Sequence, residues 1–170
     1  MSTLYDIFKF MTKNLGKVLV LLHDIRSTHN VGSIFRTSDS AGVSKIFLSG
    51  YTPTPIDKYG RERKDIAKVA LGAEKNIKWE YIESPEKIIE KLKKEGYQII
   101  SLEQSDLSVD YKKVKLHSPV LFIVGNEVEG ISKKILSLCD VVAEIPMLGE
   151  KESLNVSVAF GIGIYRMLGI

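Results

Sequence analysis

The chain has 170 residues, of which 44% are hydrophobic and 26% are charged, and its formal net charge is +3. This composition is that of a globular protein and excludes an intrinsically disordered chain, while the slight positive charge permits a polyanionic partner without requiring one. The single cysteine excludes an intramolecular disulfide framework and a thiolate zinc site, and it is typical of a reducing compartment.

The predicted elements alternate between short apolar runs and segments with helical periodicity. In chain order they are a strand over 17–22, a helix over 30–41, a strand over 45–49, a loop over 50–63, a helix over 65–71, a strand over 79–82, a helix over 84–95, strands over 97–102 and 120–124, a helix over 132–138, a strand over 140–145 and a helix over 154–168. Apolar strands of this length, separated by helices, predict an α/β fold with a parallel sheet and helices on both faces, a three-layer α/β/α architecture.

Neither end of the sequence has the pattern of a targeting or membrane segment. Residues 1–17 lack the apolar core of a signal peptide, and the apolar stretch 156–170 is too short to span a bilayer. We expect a cytoplasmic protein with a short N-terminal extension over 1–16 and a single domain over 17–170. The phosphate-loop, dinucleotide-binding, nucleophile-elbow and H-E-x-x-H patterns are absent, which excludes the commonest nucleotide-binding and hydrolase functions.

Ligands of parallel α/β sheets bind just past the carboxyl ends of the strands. Three of the four candidate turns are rich in Gly, Asn, Glu and Ser. These turns follow Leu22, Leu102, Val124 and Ile145.

The first informative stretch is 23–37, where a strand leads into the first helix. Asn30 is predicted to cap that helix, although its amide is equally able to contact a ligand. Arg36 lies off the apolar stripe of the helix and so reaches a cleft or solvent, where a guanidinium suits bidentate recognition of a phosphate. An ion pair between Arg36 and Asp39 on the helix surface explains the same residue equally well.

Two further stretches have the same strand–turn–helix form. In 123–132, Gly125 lets the backbone approach a ligand closely, and a plain turn capped by Ser132 is the alternative. In 145–159 a helix is predicted to begin near Ser153, where unpaired N–H groups bind a carboxylate or phosphate. Capping by Ser153 is the alternative there, and it leaves Asn155 unexplained.

Together the three stretches resemble the SpoU/TrmH family of RNA ribose 2′-O-methyltransferases, within the SPOUT superfamily. The matching motifs are N-x-G-x-x-x-R-T at 30–37, G-N-E-x-x-G-I-S at 125–132 and I-P-M-x-G-x-x-x-S-L-N-V-S-x-A at 145–159. The order and spacing of the motifs also agree with the family, and the resemblance covers residues 17–170.

The resemblance implies a SPOUT-type α/β fold with a C-terminal trefoil knot, a homodimer, S-adenosyl-L-methionine as cofactor and a tRNA or rRNA substrate, with no metal and no membrane. It implies a catalytic set of Asn30, Arg36, Glu127, Ser153 and Asn155. It implies that the cofactor is held by Leu102, Gly125, Ile145, Met147, Ser153 and Leu154.

The role of Arg36 has two alternatives. The family's counterpart of Arg36 is often assigned as the base that is primed by an RNA phosphate, whereas a guanidinium stays protonated in proteins. The equal alternative is that Arg36 binds the phosphate and positions the ribose 2′-hydroxyl, while a water molecule accepts the proton. Glu127 would then orient Arg36 or Asn30 instead of acting as an acid or base.

The RNA-binding residues are predicted in and beside the loop over 50–68, where basic groups alternate with Tyr51 and Tyr59, a combination suited to RNA with exposed bases. A solvated surface is the alternative. The predicted RNA-binding residues are Arg36, Lys58, Arg61, Arg63 and Lys64. The short extension over 1–16 favours tRNA as the substrate. Alternative functions are a non-catalytic knotted RNA-binding protein and a SPOUT methyltransferase that acts on a base.

Overall fold

Residues 17–170 are described by a computed structural model, and the predicted extension over 1–16 lies outside these residues. The strands are β1 (Val18–His23), β2 (Lys45–Ser49), β3 (Lys78–Ile82), β4 (Gln98–Leu102), β5 (Val109–Asp110), β6 (Val120–Val124) and β7 (Val141–Glu144). The α-helices are α1 (Thr28–Ser40), α2 (Lys64–Ala70), α3 (Ala73–Asn76), α4 (Pro85–Lys94), α5 (Lys133–Leu136) and α6 (Val156–Leu168), and a 3-10 turn spans Tyr111–Lys113.

The seven strands form one parallel sheet in the order β3-β2-β1-β6-β4-β7-β5. Strand β1 pairs with β2 on one side and β6 on the other, so that Leu22 lies beside both Leu48 and Val124. The carboxyl ends of the central strands are therefore level. The turns that follow them meet at one edge of the sheet, as predicted for the ligand site.

Alternation along the strands divides the core between the two faces of the sheet. On β1, Val20 and Leu22 pack with α1, α2 and α6, while Leu19 and Leu21 pack with α4 and α5. Helices thus cover both faces, and the predicted parallel α/β architecture is confirmed. Within residues 17–170 no helix has the length and apolar character needed to cross a membrane.

Several element boundaries differ from the prediction. The cap of helix α1 is Ser27, three residues before the predicted cap, and its hydroxyl accepts a hydrogen bond from the Asn30 backbone N–H. Asn30 is therefore not the cap, and its side chain is available for other contacts. Helix α6 begins at Val156 with Asn155 as its cap, so the prediction of a start near Ser153 was wrong. Ser132 caps α5, as the alternative interpretation of that turn had it, and the helix is shorter than the predicted 132–138.

Three short elements were not predicted from the sequence, and one of them is the 3-10 turn at Tyr111–Lys113. Helix α3 has four residues and follows a left-handed turn at Leu71 and Gly72. Strand β5 has two residues and exists through its pairing with β7. All three are too short for a periodic pattern to reveal.

Candidate active site

A single carboxylate, that of Glu127, joins the turn after β6 to the turn after β1. Its Oε2 accepts a hydrogen bond from the Arg26 backbone N–H at 2.9 Å, and its Oε1 accepts one from the Ser27 N–H at 3.1 Å. The Asn30 side-chain amide also donates to Oε1, at 2.8 Å. Three donors from the first stretch, 23–37, thus converge on one residue of the second motif.

The third motif joins the same network through Asn155. The Nδ2 of Asn155 donates to the Oδ1 of Asn30 at 3.0 Å. Its Oδ1 accepts from the backbone N–H groups of Ser157 and Val158 and so caps α6. Glu127, Asn30 and Asn155, which lie far apart in the sequence, therefore form a continuous chain of hydrogen bonds.

The environment of Glu127 keeps its carboxyl ionised. Burial raises its pKa, but hydrogen bonds from the Arg26 N–H, the Asn30 amide and the Ser27 N–H outweigh burial and lower the pKa below the usual glutamate value. A carboxylate with a lowered pKa is a poor proton acceptor near neutral pH. Glu127 is therefore suited to holding Asn30 and the 24–27 turn in place.

The turn at 125–131 is built by its own side chains. Asn126 is buried, and its Oδ1 accepts from the N–H groups of Val128 and Glu129, both at 2.7 Å. A Cβ added to Gly125 would lie 2.5 Å from Cγ1 of Ile131. Packing within the turn therefore requires glycine at 125, and the prediction that Gly125 lets a ligand approach closely stays a prediction.

A cavity of about 320 Å³ lies where the turns after β4, β6 and β7 meet the start of α6. Its volume is within the range of small-molecule sites. All six residues predicted to hold a cofactor line it: Leu102, Gly125, Ile145, Met147, Ser153 and Leu154. Glu127 lines it too, and through Glu127 the chain of hydrogen bonds to Asn30 and Asn155 reaches the cavity.

The charged residues that line this cavity are all acidic: Glu103, Glu127, Glu144 and Glu152. Glu103 also braces the turn at 125–131, since its Oε2 accepts from the Ile131 N–H at 2.8 Å. A lining of carboxylates without a lysine or arginine favours a cationic ligand over an anionic one. Within residues 17–170 no group of three or more His, Cys, Asp or Glu side chains is arranged to hold a metal ion.

Arg36 does not join the hydrogen-bond network of Glu127, Asn30 and Asn155. It lies on the exposed face of α1, whereas Asn30 is buried at the start of the helix and Thr37 faces α6 near Gly161. The predicted catalytic set is therefore divided: Glu127, Asn30 and Asn155 are linked to one another, Ser153 lines the cavity and Arg36 lies apart.

The predicted RNA-binding residues are also only partly brought together. Lys58, Arg61 and Arg63 line a second and larger cleft beside the loop over 50–63, whereas Lys64 and Arg36 do not. The guanidinium of Arg61 pairs with Asp57 at 2.9 Å. Hydrogen bonds from Arg61, first from its backbone N–H, hold the pKa of the Asp57 carboxyl below its usual value.

Sequence reasoning missed several residues that build this region. Ser27 is the true cap of α1, Asn126 organises the second turn, and Glu103 braces it. Asn126 was visible within the second motif, and Glu103 directly follows a predicted strand. Their roles depend on contacts with distant segments, which spacing within one motif does not reveal.

The cap of α6 provides a direct test of the network. We expect Asn155→Ala to lower the free energy of unfolding by about 1 kcal/mol, because two backbone N–H groups lose their acceptor. For a chain of this size this corresponds to a fall in Tm of about 2–4 °C. Ser153→Ala is the matched control, since Ser153 lines the cavity but does not cap the helix. Equal Tm values for Asn155→Ala and the wild type, measured by differential scanning calorimetry, would contradict the capping role.

Comparison with known families and structures gives a consistent result. The family model described as the SpoU rRNA methylase family matches residues 17–165. A tRNA (guanosine(18)-2′-O)-methyltransferase from Aquifex aeolicus is 33% identical over 160 residues, which is 92% of this chain and 71% of that protein. The chain spans 57–64% of the length of TrmH-family relatives from three staphylococcal species.

Two solved structures support the same relationship. The AdoMet-bound rRNA methyltransferase from Sinorhizobium meliloti superposes with a TM-score of 0.80 and 29% identity, over 89% of this chain and 56% of that one. The A. aeolicus TrmH/SpoU tRNA-modifying enzyme superposes with a TM-score of 0.78 and 28% identity, over 97% of this chain and 82% of that one.

Proposed function

Since this chain belongs to the SpoU rRNA methylase family, we propose that it transfers a methyl group from S-adenosyl-L-methionine to a ribose 2′-hydroxyl of tRNA or rRNA. The observation that carries this proposal is the chain of hydrogen bonds from Glu127 through Asn30 to Asn155, at the edge of an acidic cavity. The name of the A. aeolicus relative, tRNA (guanosine(18)-2′-O)-methyltransferase, supports it. A cytoplasmic location stays a prediction that rests on the proposed RNA substrate.

The cavity fits S-adenosyl-L-methionine in both size and charge. Leu102, Ile145 and Leu154 give it apolar surface for an adenine ring, and Met147 and Ser153 lie beside them. The carboxylates of its lining complement a sulfonium, which is cationic. When bound, the cofactor supplies a methyl group that is already activated for transfer.

The residues of the chain then have mainly positioning roles. Asn30 is held on one side by Glu127 and on the other by Asn155, so its amide has a fixed direction before any substrate arrives. A pre-oriented polar group of this kind aligns a hydroxyl for transfer without the entropic cost of ordering it. Glu127 fixes Asn30, and its low pKa leaves removal of the hydroxyl proton to another group.

That other group is water or Arg36. A guanidinium stays charged at neutral pH, so we propose that Arg36 binds the phosphate next to the target ribose and that water takes the proton. Exposure of Arg36 on α1 suits contact with the backbone of a large substrate. A base-directed methyltransferase and a non-catalytic RNA-binding protein are the alternative functions.

A homodimer is proposed from the exposed apolar stripe of α6. Val158 is 49% exposed and Ile162 is 39% exposed, and they lie one helical turn apart on a helix that packs against α1. We expect Ile162→Glu to be monomeric in analytical ultracentrifugation, because a buried charge in an apolar interface is costly. Leu107→Glu, at an 86% exposed loop residue, is the control and stays dimeric. A dimeric Ile162→Glu protein would contradict this interface.

We also propose the C-terminal trefoil knot and a single methyltransferase domain over 17–170. The return of the chain after β7 supports the knot, since residues of the segment 145–155 line the same cavity as the turns that follow β4 and β6. Helix α6 then packs back on α1 and β4, with a Cβ added at Gly163 only 3.0 Å from Leu102. The extent of the family match, residues 17–165, supports the domain bounds.

The basic side chains of the second cleft are proposed to bind RNA phosphates. We expect the triple variant Lys58→Gln, Arg61→Gln and Arg63→Gln to bind tRNA more weakly and to lower the slope of log K against log salt by about 2. The triple variant Lys87→Gln, Lys91→Gln and Lys94→Gln removes the same charge from exposed positions on α4 and serves as the control. A salt slope equal to that of the wild type, measured by filter binding, would show this loop to be ordinary surface.

Incorporation of labelled methyl groups tests the proposed function as a whole. The protein is incubated with tritiated S-adenosyl-L-methionine and with unmethylated tRNA or rRNA, and acid-insoluble label is counted. We expect label in RNA from the wild type and at least a 100-fold lower rate from Glu127→Gln, on the order expected for a misplaced reacting group. Cofactor binding without any transfer to either RNA would favour the non-catalytic alternative.

A further inference from the structure

A second cleft, of about 1020 Å³, lies beside the edge strand β3. Aromatic side chains line it from two parts of the chain: Trp79 and Tyr81 from β3, and Tyr51 and Tyr59 from the loop over 50–63. Trp79 and Tyr81 are two residues apart on one strand and therefore project from the same face of the sheet. The Tyr81 hydroxyl donates to the Gly50 carbonyl at 2.9 Å, which ties the loop to the strand.

The cleft is also strongly cationic. Its lining includes four basic side chains and one acidic residue, Asp57, which already pairs with Arg61. The basic side chains are Arg26, Lys58, Arg61 and Arg63. The Nε of Arg63 is buried and has no hydrogen-bond partner within the described part of the chain, and such an orphaned donor is satisfied by an anion or a water.

One ring of the cleft combines both features. Tyr59 is 69% exposed, and its ring centroid lies 5.1 Å from the Lys58 ammonium and 5.0 Å from the Arg61 guanidinium. The ring and the two cations thus form a single surface, on which a base can stack against the ring and its phosphates can pair with the cations. Aromatic rings alternating with basic groups are the common means of binding unpaired nucleotides.

The cleft and the cofactor cavity share a wall. The Asn126 side chain, on the cavity side, donates to the Tyr51 hydroxyl on the cleft side. The backbone N–H of Arg26, another residue of the cleft, donates to Glu127 of the cavity at 2.9 Å. An RNA strand with its ribose at Asn30 therefore has a neighbouring nucleotide within reach of the cleft.

We infer that this cleft binds one unstacked base of the RNA substrate, a neighbour of the methylated nucleotide. The base packs among the rings of Tyr51, Tyr59 and Tyr81, and its phosphate contacts Arg63. This inference rests on the proposed function for the identity of the ligand. It adds that the substrate must be single-stranded or opened beside the target ribose, because a base paired in a helix does not reach a side cleft.

The chain provides its own reporter for this binding. Trp79 is the only tryptophan among the 170 residues, and it lines the cleft. We expect pentauridylate to quench its fluorescence saturably, and an abasic ribose-phosphate pentamer of equal charge to quench it weakly or not at all. Tyr59→Ala should weaken the binding of pentauridylate by roughly 5- to 100-fold, the loss typical of one stacked base.

The controls separate this inference from the proposed function. Tyr59 is too exposed for its removal to threaten folding, and Lys78→Gln, which lies next to Trp79 but outside the cleft, should bind pentauridylate as the wild type does. Equal quenching by the abasic pentamer, or unchanged affinity in Tyr59→Ala, would overturn the inference. Methyl transfer to RNA is measured on the same samples: transfer without quenching rejects the base site alone, and quenching without transfer rejects the proposed function alone.

Discussion

Replacement of Glu127 by glutamine is expected to lower methyl transfer by at least about 100-fold while leaving the protein folded. The amide that replaces the carboxylate has one acceptor oxygen for three donors, namely the Arg26 N–H, the Ser27 N–H and the Asn30 amide. The 24–27 turn loosens and Asn30 loses its fixed direction. Glu129→Gln is the matched control, because Glu129 is exposed and lies in the same turn. Transfer rates that are equal for the two variants would contradict the role of Glu127.

The same substitution should change stability in a pH-dependent manner. The pKa of Glu127 is lowered in the folded protein, so its interactions stabilise the fold above the ordinary glutamate pKa of about 4.3 and are lost as pH falls through the lower folded value. At pH 7 the free energy of unfolding of the wild type should exceed that of Glu127→Gln by roughly 2 kcal/mol. The difference should shrink below about pH 4. A difference that stays constant across this range, measured by urea unfolding, would contradict an ionised, hydrogen-bonded Glu127.

Arg36→Ala is expected to reduce methyl transfer by at least about 100-fold and to leave binding of S-adenosyl-L-methionine unchanged. The reason is the position of Arg36, which is exposed on α1 and does not line the cofactor cavity. Removal of the Arg36 side chain therefore removes a contact with an RNA phosphate, and with it the alignment of the target ribose that depends on this contact. Folding is spared, because the side chain is outside the core.

Arg36→Lys is the informative companion to this variant. Lysine keeps the positive charge but lacks the planar fork that binds two phosphate oxygens at once. We expect a transfer rate between those of wild type and Arg36→Ala, measured with saturating cofactor. Activity of Arg36→Ala close to that of the wild type would remove Arg36 from the reaction altogether.

The sequence predicted the sheet well because buried parallel strands leave a simple signal. β2 and β6 coincide with their predicted bounds, and the other predicted strands differ by a few residues at most. The location of the cavity was predicted for the same reason, since the turns after Leu102, Val124 and Ile145 must meet at one edge of a parallel sheet.

The details of the helix caps were not predictable in the same way. Ser27 and Asn30 are both good caps and lie three residues apart, so the local sequence does not choose between them. Which of the two residues caps the helix depends on Glu127, which is 97 residues from Asn30 in the sequence. The Glu127 carboxylate accepts a hydrogen bond from the Asn30 side-chain amide. Likewise Asn155, and not Ser153, caps α6 while it contacts Asn30. Such long-range contacts determine which side chains form the site, and they leave no pattern in the local sequence.

The measurement that tests the central claim most directly is the identity of the methylated nucleoside. RNA labelled with the wild-type protein and tritiated S-adenosyl-L-methionine is digested to nucleosides and separated by chromatography. The arrangement of Glu127, Asn30 and Asn155 beside the acidic cavity predicts a 2′-O-methylnucleoside as the labelled product. Label on a base, with an unmodified ribose, would contradict the account and make the protein a base-directed methyltransferase.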